Sequence, residues 1–311
     1  MTNVASPPLT PRRRRRARLA VTVGVLMVCG LGWGAYRLYN AVFVKHPVVS
    51  SCRVIGLSTG NVYSMDPEQL LNASIITDVA MQRALPQRAV VVALATALQE
   101  SKMYNLDYGD ADSLGLFQQR PSQGWGSPEQ VMTPTYAAGK FYDALVKVPN
   151  WQSLSLTQAA DAVQRSAFPD AYRDWEPRAT ALAAALTGTT NGQLTCRLAH
   201  PGTTSPMSMA TAALTADLRT DLAVSSPAVA NVDAKHATVT VSGLGATDSG
   251  DDTAARHRDT TVAAWALAHA APHGITSVTI GDREWRADRD GWHDAKSPAA
   301  AGTVVMTVST R

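Results

Sequence analysis

The chain has 311 residues, 45% hydrophobic and 17% charged, which excludes a wholly disordered protein and leaves room for about two domains. The formal net charge is +3, but residues 1–18 hold six of the 28 basic residues and no acid, so the remainder carries 22 − 25 = −3. A slightly acidic body argues against nucleic acid as a partner, because phosphate binding requires a basic face on the folded part.

The N-terminal segment has the pattern of a membrane anchor. Residues 19–36 contain no charge, and as a helix they would span ~27 Å, close to a bilayer core of about 30 Å. The arginines before this run predict an Arg-rich cytoplasmic tail over 1–18 and a transmembrane anchor over 19–44. A cleaved signal peptide is the alternative, but no clear small-x-small cleavage site follows. We therefore expect a single-pass protein of the cell membrane, with its C-terminal domains outside the cytoplasm.

Two cysteines of the exported part bracket one region of coherent composition. Cys52 and Cys196 would lie in an oxidising compartment, where a disulfide between them is permitted. The bridge would close a loop of about 145 residues, and the chain-entropy relation gives ~4–5 kcal/mol for such a loop. Two buried free thiols are the alternative. We predict the disulfide.

Residues 52–196 are predicted to form a mainly α domain. Asp66 suits the cap of a helix that begins at Pro67. Residues 88–101 follow with an apolar centre typical of a buried helix. Further helices are predicted over 135–146, 157–166 and 171–186, and the segment 101–127 is a loop or a small β-hairpin.

The rest of the chain is predicted to be a linker and a second domain. Residues 197–206 have the composition of a linker. Residues 207–311 alternate helical and strand patterns, which predicts a small α+β domain of about four strands and two helices, of unknown role. His269 and His273 have the spacing of metal ligands on a helix, but Pro272 interrupts that helix. We expect surface histidines and no metal site.

The residues available for chemistry in 52–196 are carboxylates. No histidine lies between Cys52 and Cys196, which excludes a Ser-His-Asp triad or a histidine-ligated zinc within this region. Glu100 stands out, because it ends the most apolar helix and opens a Gly- and aromatic-rich segment. Partial desolvation favours the protonated carboxyl that a general acid requires. An exposed helix-end glutamate is the alternative.

Aromatic residues point to a sugar-binding groove. Eleven of the 19 Phe, Trp and Tyr residues fall between Tyr104 and Trp175, which is more than a small helical core needs. Several belong to the core, but others, Tyr172 among them, are predicted to line a groove, where flat faces suit sugar rings.

These motifs resemble a known family. Glu100-Ser101, followed fifteen residues later by Gly115-Leu116-Phe117-Gln118, is similar to the Glu-Ser and Gly-Leu-Met-Gln signature of soluble lytic transglycosylases and goose-type lysozymes. The resemblance extends over about 67–186, and its longer blocks resemble the lysozyme-like domain of membrane-anchored actinobacterial cell-wall proteins. It implies a lysozyme-like fold.

The resemblance also implies roles for individual residues. Glu100 would be the catalytic acid and Ser101 its support. Leu116, Phe117 and Gln118 would hold N-acetyl sugars. The family has Ala-Tyr-Asn-Ala-Gly in a late helix, with its tyrosine near the acid, and Gln164 stands in place of that tyrosine here.

The function predicted from these observations is cleavage of peptidoglycan glycan strands by Glu100, as a lytic transglycosylase or a lysozyme. Asp110 and Asp112 are candidates for a second carboxylate, although aspartates beside a glycine also form turns. The alternative is a non-catalytic peptidoglycan-binding or envelope scaffold protein with a vestigial groove. The expected partners are glycan strands, the membrane through one helix and, for the C-terminal domain, another envelope protein. No cofactor is expected.

Overall fold

The fold combines α-helices with two antiparallel sheets. A computed structural model describes residues 49–166, 169–243 and 252–311, and within these ranges the chain forms nine α-helices and nine strands. The helices are α1 (Pro67–Gln82), α2 (Gln87–Ser101), α3 (Pro128–Val131), α4 (Pro134–Leu145), α5 (Leu156–Gln164), α6 (Glu176–Leu186), α7 (Met207–Leu222), α8 (Asp252–Ala268) and α9 (Ala270–His273). The strands are β1 (Ser51–Ile55), β2 (Val62–Met65), β3 (Leu194–Arg197), β4 (Ala228–Ala230), β5 (His236–Val241), β6 (Ile275–Ile280), β7 (Arg283–Arg286), β8 (Trp292–Asp294) and β9 (Val304–Ser309).

The predicted fold class, a transmembrane helix followed by a mainly α domain and a small α+β domain, is wrong. The nine described strands form sheets of three and six strands, so the chain is not mainly α. Strands of four or five residues at the borders of the helical region are too short for their periodicity to show in the sequence. Among the described helices, none is long and apolar enough to cross a bilayer. Residues 1–44, which carry the predicted tail and anchor, lie outside the described ranges.

The three-stranded sheet joins the two ends of the helical region. β1 lies in the centre, between β2 and β3, and Cys52 of β1 faces Cys196 of β3 in the antiparallel register. The two cysteines form a disulfide, as predicted.

The helical region is built around α2. Residues 89–98 are all buried, which confirms the prediction of a buried central helix. α1 begins with a capping box. The Asp66 carboxylate accepts from the backbone N–H of Gln69, and the side-chain oxygen of Gln69 accepts from the backbone N–H of Asp66, both at 3.0 Å. The helix predicted over 171–186 is instead a 3-10 helix (Pro169–Trp175) followed by α6, which begins at Glu176 with Pro177 in its first turn, where the missing amide proton costs no helical hydrogen bond.

The C-terminal part is a six-stranded sheet in the order β4-β5-β9-β6-β7-β8. Residues 287–291 join β7 to β8, and Trp285 pairs with Trp292. The Trp285 indole donates to the Cys196 carbonyl at 2.8 Å, which ties this hairpin to β3.

The predicted linker packs against the C-terminal sheet. The Leu198 amide donates to the Ala287 carbonyl at 2.7 Å, and the Thr203 amide donates to the Ser309 carbonyl at 2.8 Å. The buried residues of the helical region and of the sheet belong to one apolar cluster, and residues 49–311 form one compact unit. The two predicted domains therefore share a core.

Candidate functional site

Glu100 lies on the last turn of α2 and faces a groove of about 1080 Å³. The side chain is half-buried. Polar and amide side chains dominate the groove wall around it, and the volume is at the upper end of what a small-molecule pocket provides. The groove lining includes Asp110, Ser113, Gln118, Gln119, Gln123, Trp125, Lys147, Gln164 and Arg165.

Tyr172 holds one oxygen of the Glu100 carboxyl. Its hydroxyl donates to Glu100 Oε1 at 2.6 Å, and its side chain is fully buried. Burial, and then the hydrogen bond to Glu100, raise the pKa of Tyr172 above its ordinary value, while a hydrogen bond from Ser166 opposes this. The phenol therefore stays protonated and acts as a donor. The structure places Tyr172 behind the acid, where it positions Glu100, and not on the groove surface where the sequence placed it.

Ser101 fixes the end of α2 to the turn that follows Gly115. Its buried hydroxyl donates to the Leu116 carbonyl at 2.8 Å. Gly115 has a φ of +77°, and a Cβ there would lie 2.5 Å from the Val131 carbonyl oxygen, so this close approach requires glycine. Ser101 thus binds the backbone of the turn after Gly115 and has no place in the groove lining, and its implied role as the support of Glu100 stays a prediction.

The Leu116 and Phe117 side chains are fully buried and cannot contact a ligand in the groove. Phe117 stacks on Phe141 with ring centroids 4.7 Å apart, and its carbonyl accepts from Gln164 Nε2 at 2.8 Å. Both residues therefore build the floor beneath the groove. Gln118, which follows, lines the groove, and its amide donates to the Tyr108 carbonyl at 3.2 Å.

The two candidate aspartates differ in what holds them. Asp112 accepts from Arg120 Nε at 2.7 Å and from the Ser122 amide at 2.7 Å. These hydrogen bonds, that from Arg120 first, keep the pKa of Asp112 well below its usual range. Asp112 is a fixed anion that organises the loop, whereas the exposed Asp110 lines the same groove as Glu100.

Basic side chains lie on the groove wall. Lys147 and Arg165 both line it, and neither forms an ion pair within the described ranges. Arg165 follows the last residue of α5 and has left-handed backbone, which ends that helix at the groove edge. Nothing in the sequence separates Lys147 from an ordinary solvated lysine.

Two histidines of the C-terminal part are not surface residues. His269 and His273 are both buried, so the prediction of ordinary surface histidines is wrong. They pack against α7, beside the carboxyl groups of Asp217 and Asp221.

No protein-family model matches the chain, and no curated protein is significantly similar to it.

Proposed function

We propose that this chain cleaves the glycan strands of peptidoglycan outside the cytoplasm, with Glu100 as the general acid and then the general base. The observation that carries this proposal is a half-buried carboxyl, facing an extended groove, with one oxygen held by a buried phenol. Because Tyr172 occupies Oε1, the proton to be donated lies on Oε2. The Cys52–Cys196 disulfide supports an oxidising compartment.

The groove chemistry supports an anionic amide-bearing glycan as the substrate. The amide side chains of Gln118, Gln123 and Gln164 suit acetamido groups, and Trp125 offers a flat apolar face. The cations of Lys147 and Arg165 suit the carboxylates that muramic acid and its peptide carry.

The reaction proposed for Glu100 is lytic transglycosylation. Glu100 donates its proton to the glycosidic oxygen as the bond from that oxygen to C1 of muramic acid breaks, through an oxocarbenium-like state. The carboxylate then takes the proton of the muramyl 6-hydroxyl, whose oxygen forms the new bond to C1. Hydrolysis by inversion would require a second carboxylate to activate water. Asp112 is unsuited to this role, because Arg120 and Ser122 hold it as a fixed anion.

The test is release of soluble muropeptides from purified sacculi by the full-length chain. We expect anhydro-muropeptides with the wild type and none with Glu100→Gln. Glu68→Gln makes the same chemical change at an exposed position in the first turn of α1, and its release should match the wild type. Asp110→Asn should retain the anhydro product.

The alternative function, a glycan-binding or scaffold protein, is distinguished by the same assay. Gln164 at the position of the family tyrosine favours it. If the wild type binds sacculi but releases no muropeptides, the chain is a glycan-binding module and the enzymatic proposal is wrong. If the wild type releases hydrolytic products and Asp110→Asn does not, the chain is still a glycan-cleaving enzyme, but the transglycosylase mechanism is wrong.

A further inference from the structure

Two Asp–His pairs lie side by side where the helical region meets the C-terminal part. Asp217 and Asp221 are one turn apart on α7, and they face His269 and His273 at the end of α8 and in α9. His273 Nε2 lies 2.9 Å from Asp217 Oδ2, which is a direct hydrogen bond. His269 Nε2 lies 3.8 Å from Asp221 Oδ2, which is too long for one. The two aspartates and the two histidines are each four residues apart in the sequence, but only the Asp217–His273 pair forms a hydrogen bond.

The hydrogen bonds of His269 fix which of its nitrogens carries the proton. Nδ1 lies 2.9 Å from the Trp265 carbonyl oxygen, and a carbonyl can only accept, so Nδ1 is the donor. Nε2 is therefore the nitrogen that can offer a lone pair to a cation, and it faces Asp221 Oδ2, which also accepts from Trp265 Nε1 at 3.1 Å. A backbone carbonyl that orients a histidine in this way is the usual outer partner of a metal ligand.

A third ligand comes from the helical region. Asp78 of α1 is 4% exposed, and the ligand atoms of Asp78, Asp221 and His269 lie within 4.8 Å of one another. Ser74 donates to Asp78 at 3.2 Å, and no Lys or Arg forms an ion pair with either carboxyl within the described ranges. Two carboxyl groups and an imidazole converge here, where Asp78 and His269 are buried and the Asp221 side chain is 21% exposed, and this oxygen and nitrogen donor set suits a divalent cation.

We propose that Asp78, Asp221 and His269 bind one divalent transition-metal ion, which ties α1 to α7 and α8. Two carboxylates, one imidazole and a water complete the tetrahedral set that Zn²⁺ takes, at about 2.0–2.2 Å from each ligand atom. Ligand atoms around such an ion lie about 3.3–3.6 Å apart, so atoms that are as much as 4.8 Å apart must approach by up to about 1.5 Å. A cavity of about 270 Å³ lined by Asp221 provides the entry path, with Arg258 at its wall. No sequence window could reveal this site, because its ligands come from both predicted domains.

The test is Zn²⁺ binding to the full-length, untagged, EDTA-stripped chain by isothermal titration calorimetry. We expect one ion per chain. Asp221→Asn and His269→Gln should weaken binding at least 100-fold, since each removes a ligand. Asp217→Asn and His273→Gln remove the neighbouring pair and should retain affinity within a few-fold of the wild type. Zn²⁺ at 100 times its Kd should raise the Tm of the wild type by about 5–10 °C.

A measurement on the wild type alone covers the case in which the variants do not fold. The Co²⁺-loaded chain should show a single paramagnetically shifted exchangeable imidazole N–H in its NMR spectrum, that of His269 Nδ1. Absence of Zn²⁺ uptake, unchanged affinity in Asp221→Asn and His269→Gln, or no shifted N–H with Co²⁺ would overturn the proposal. The groove is a separate site, so Glu100→Gln should bind Zn²⁺ as the wild type does.

Discussion

Replacing Tyr172 by Phe removes one hydroxyl and tests whether that hydroxyl positions Glu100. The bond it makes to Glu100 Oε1 is 2.6 Å long, within the range of a charge-assisted hydrogen bond. Such a bond contributes about 1.5–3 kcal/mol. If the whole of that energy serves to orient the Glu100 carboxyl in the transition state, its loss should lower kcat/KM for muropeptide release from sacculi by about 10- to 100-fold. The phenyl ring still fills the buried space, so packing around it is kept.

Tyr142→Phe is the matched control for this experiment. Tyr142 is also fully buried, and its hydroxyl donates to the Ile76 carbonyl at 3.0 Å, away from the groove lining. Loss of a neutral hydrogen bond costs about 0.5–1.5 kcal/mol of unfolding free energy and should leave kcat/KM unchanged. Activity and unfolding free energy are measured on both variants. The reasoning fails if Tyr172→Phe retains wild-type kcat/KM, or if Tyr142→Phe loses as much.

Three further changes test the scaffold. Joint replacement of Cys52 and Cys196 by Ser opens a loop with a sequence separation of 144 and should lower the free energy of unfolding in urea by about 4–5 kcal/mol. Gly115→Ala places a Cβ 2.5 Å from a backbone oxygen of α3, whereas Gly124 has a similar left-handed φ but open space around its Cα. Gly115→Ala should therefore lower the free energy of unfolding by at least about 1 kcal/mol more than Gly124→Ala does. His269 is neutral in the folded chain, with its pKa lowered from 6.5 to about 3, but takes up a proton on unfolding in acid. In EDTA, the stability advantage of wild type over His269→Gln should therefore shrink by about 1.4 kcal/mol per pH unit as pH falls below about 6.5, and a constant difference would contradict this.

The sequence predicted those features of the fold that depend on a single helix. Asp66 caps α1, and the uninterrupted apolar run of 89–98 is buried, because capping and hydrophobic burial act within a single helix. The disulfide was also predictable, because Cys52 and Cys196 are the only two cysteines in the sequence after the apolar N-terminal run.

What the sequence did not show depends on contacts between distant segments. β3 pairs with β1 across the whole helical region, and a four-residue strand has no periodicity of its own. At the site, Glu100 and the Gly115 turn were predictable from their motif, but the role of Tyr172 was not. Its hydroxyl reaches Glu100 only because the 3-10 helix that carries it packs beside α2. His269, which lies between α8 and α9, is likewise buried by packing against α7, a helix that is distant from it in the sequence.

The sulfur bridge has a mechanical consequence. A pull applied to the chain before β1 and after β3 enters at Cys52 and leaves at Cys196, whose Cα atoms are 4.0 Å apart. The covalent bond carries that tension, so the 143 residues between the two cysteines bear none of it. The carboxyl and its phenol would then keep their geometry under load, whereas a pull applied beyond β9 would also load the six-stranded sheet, which lies outside the closed loop.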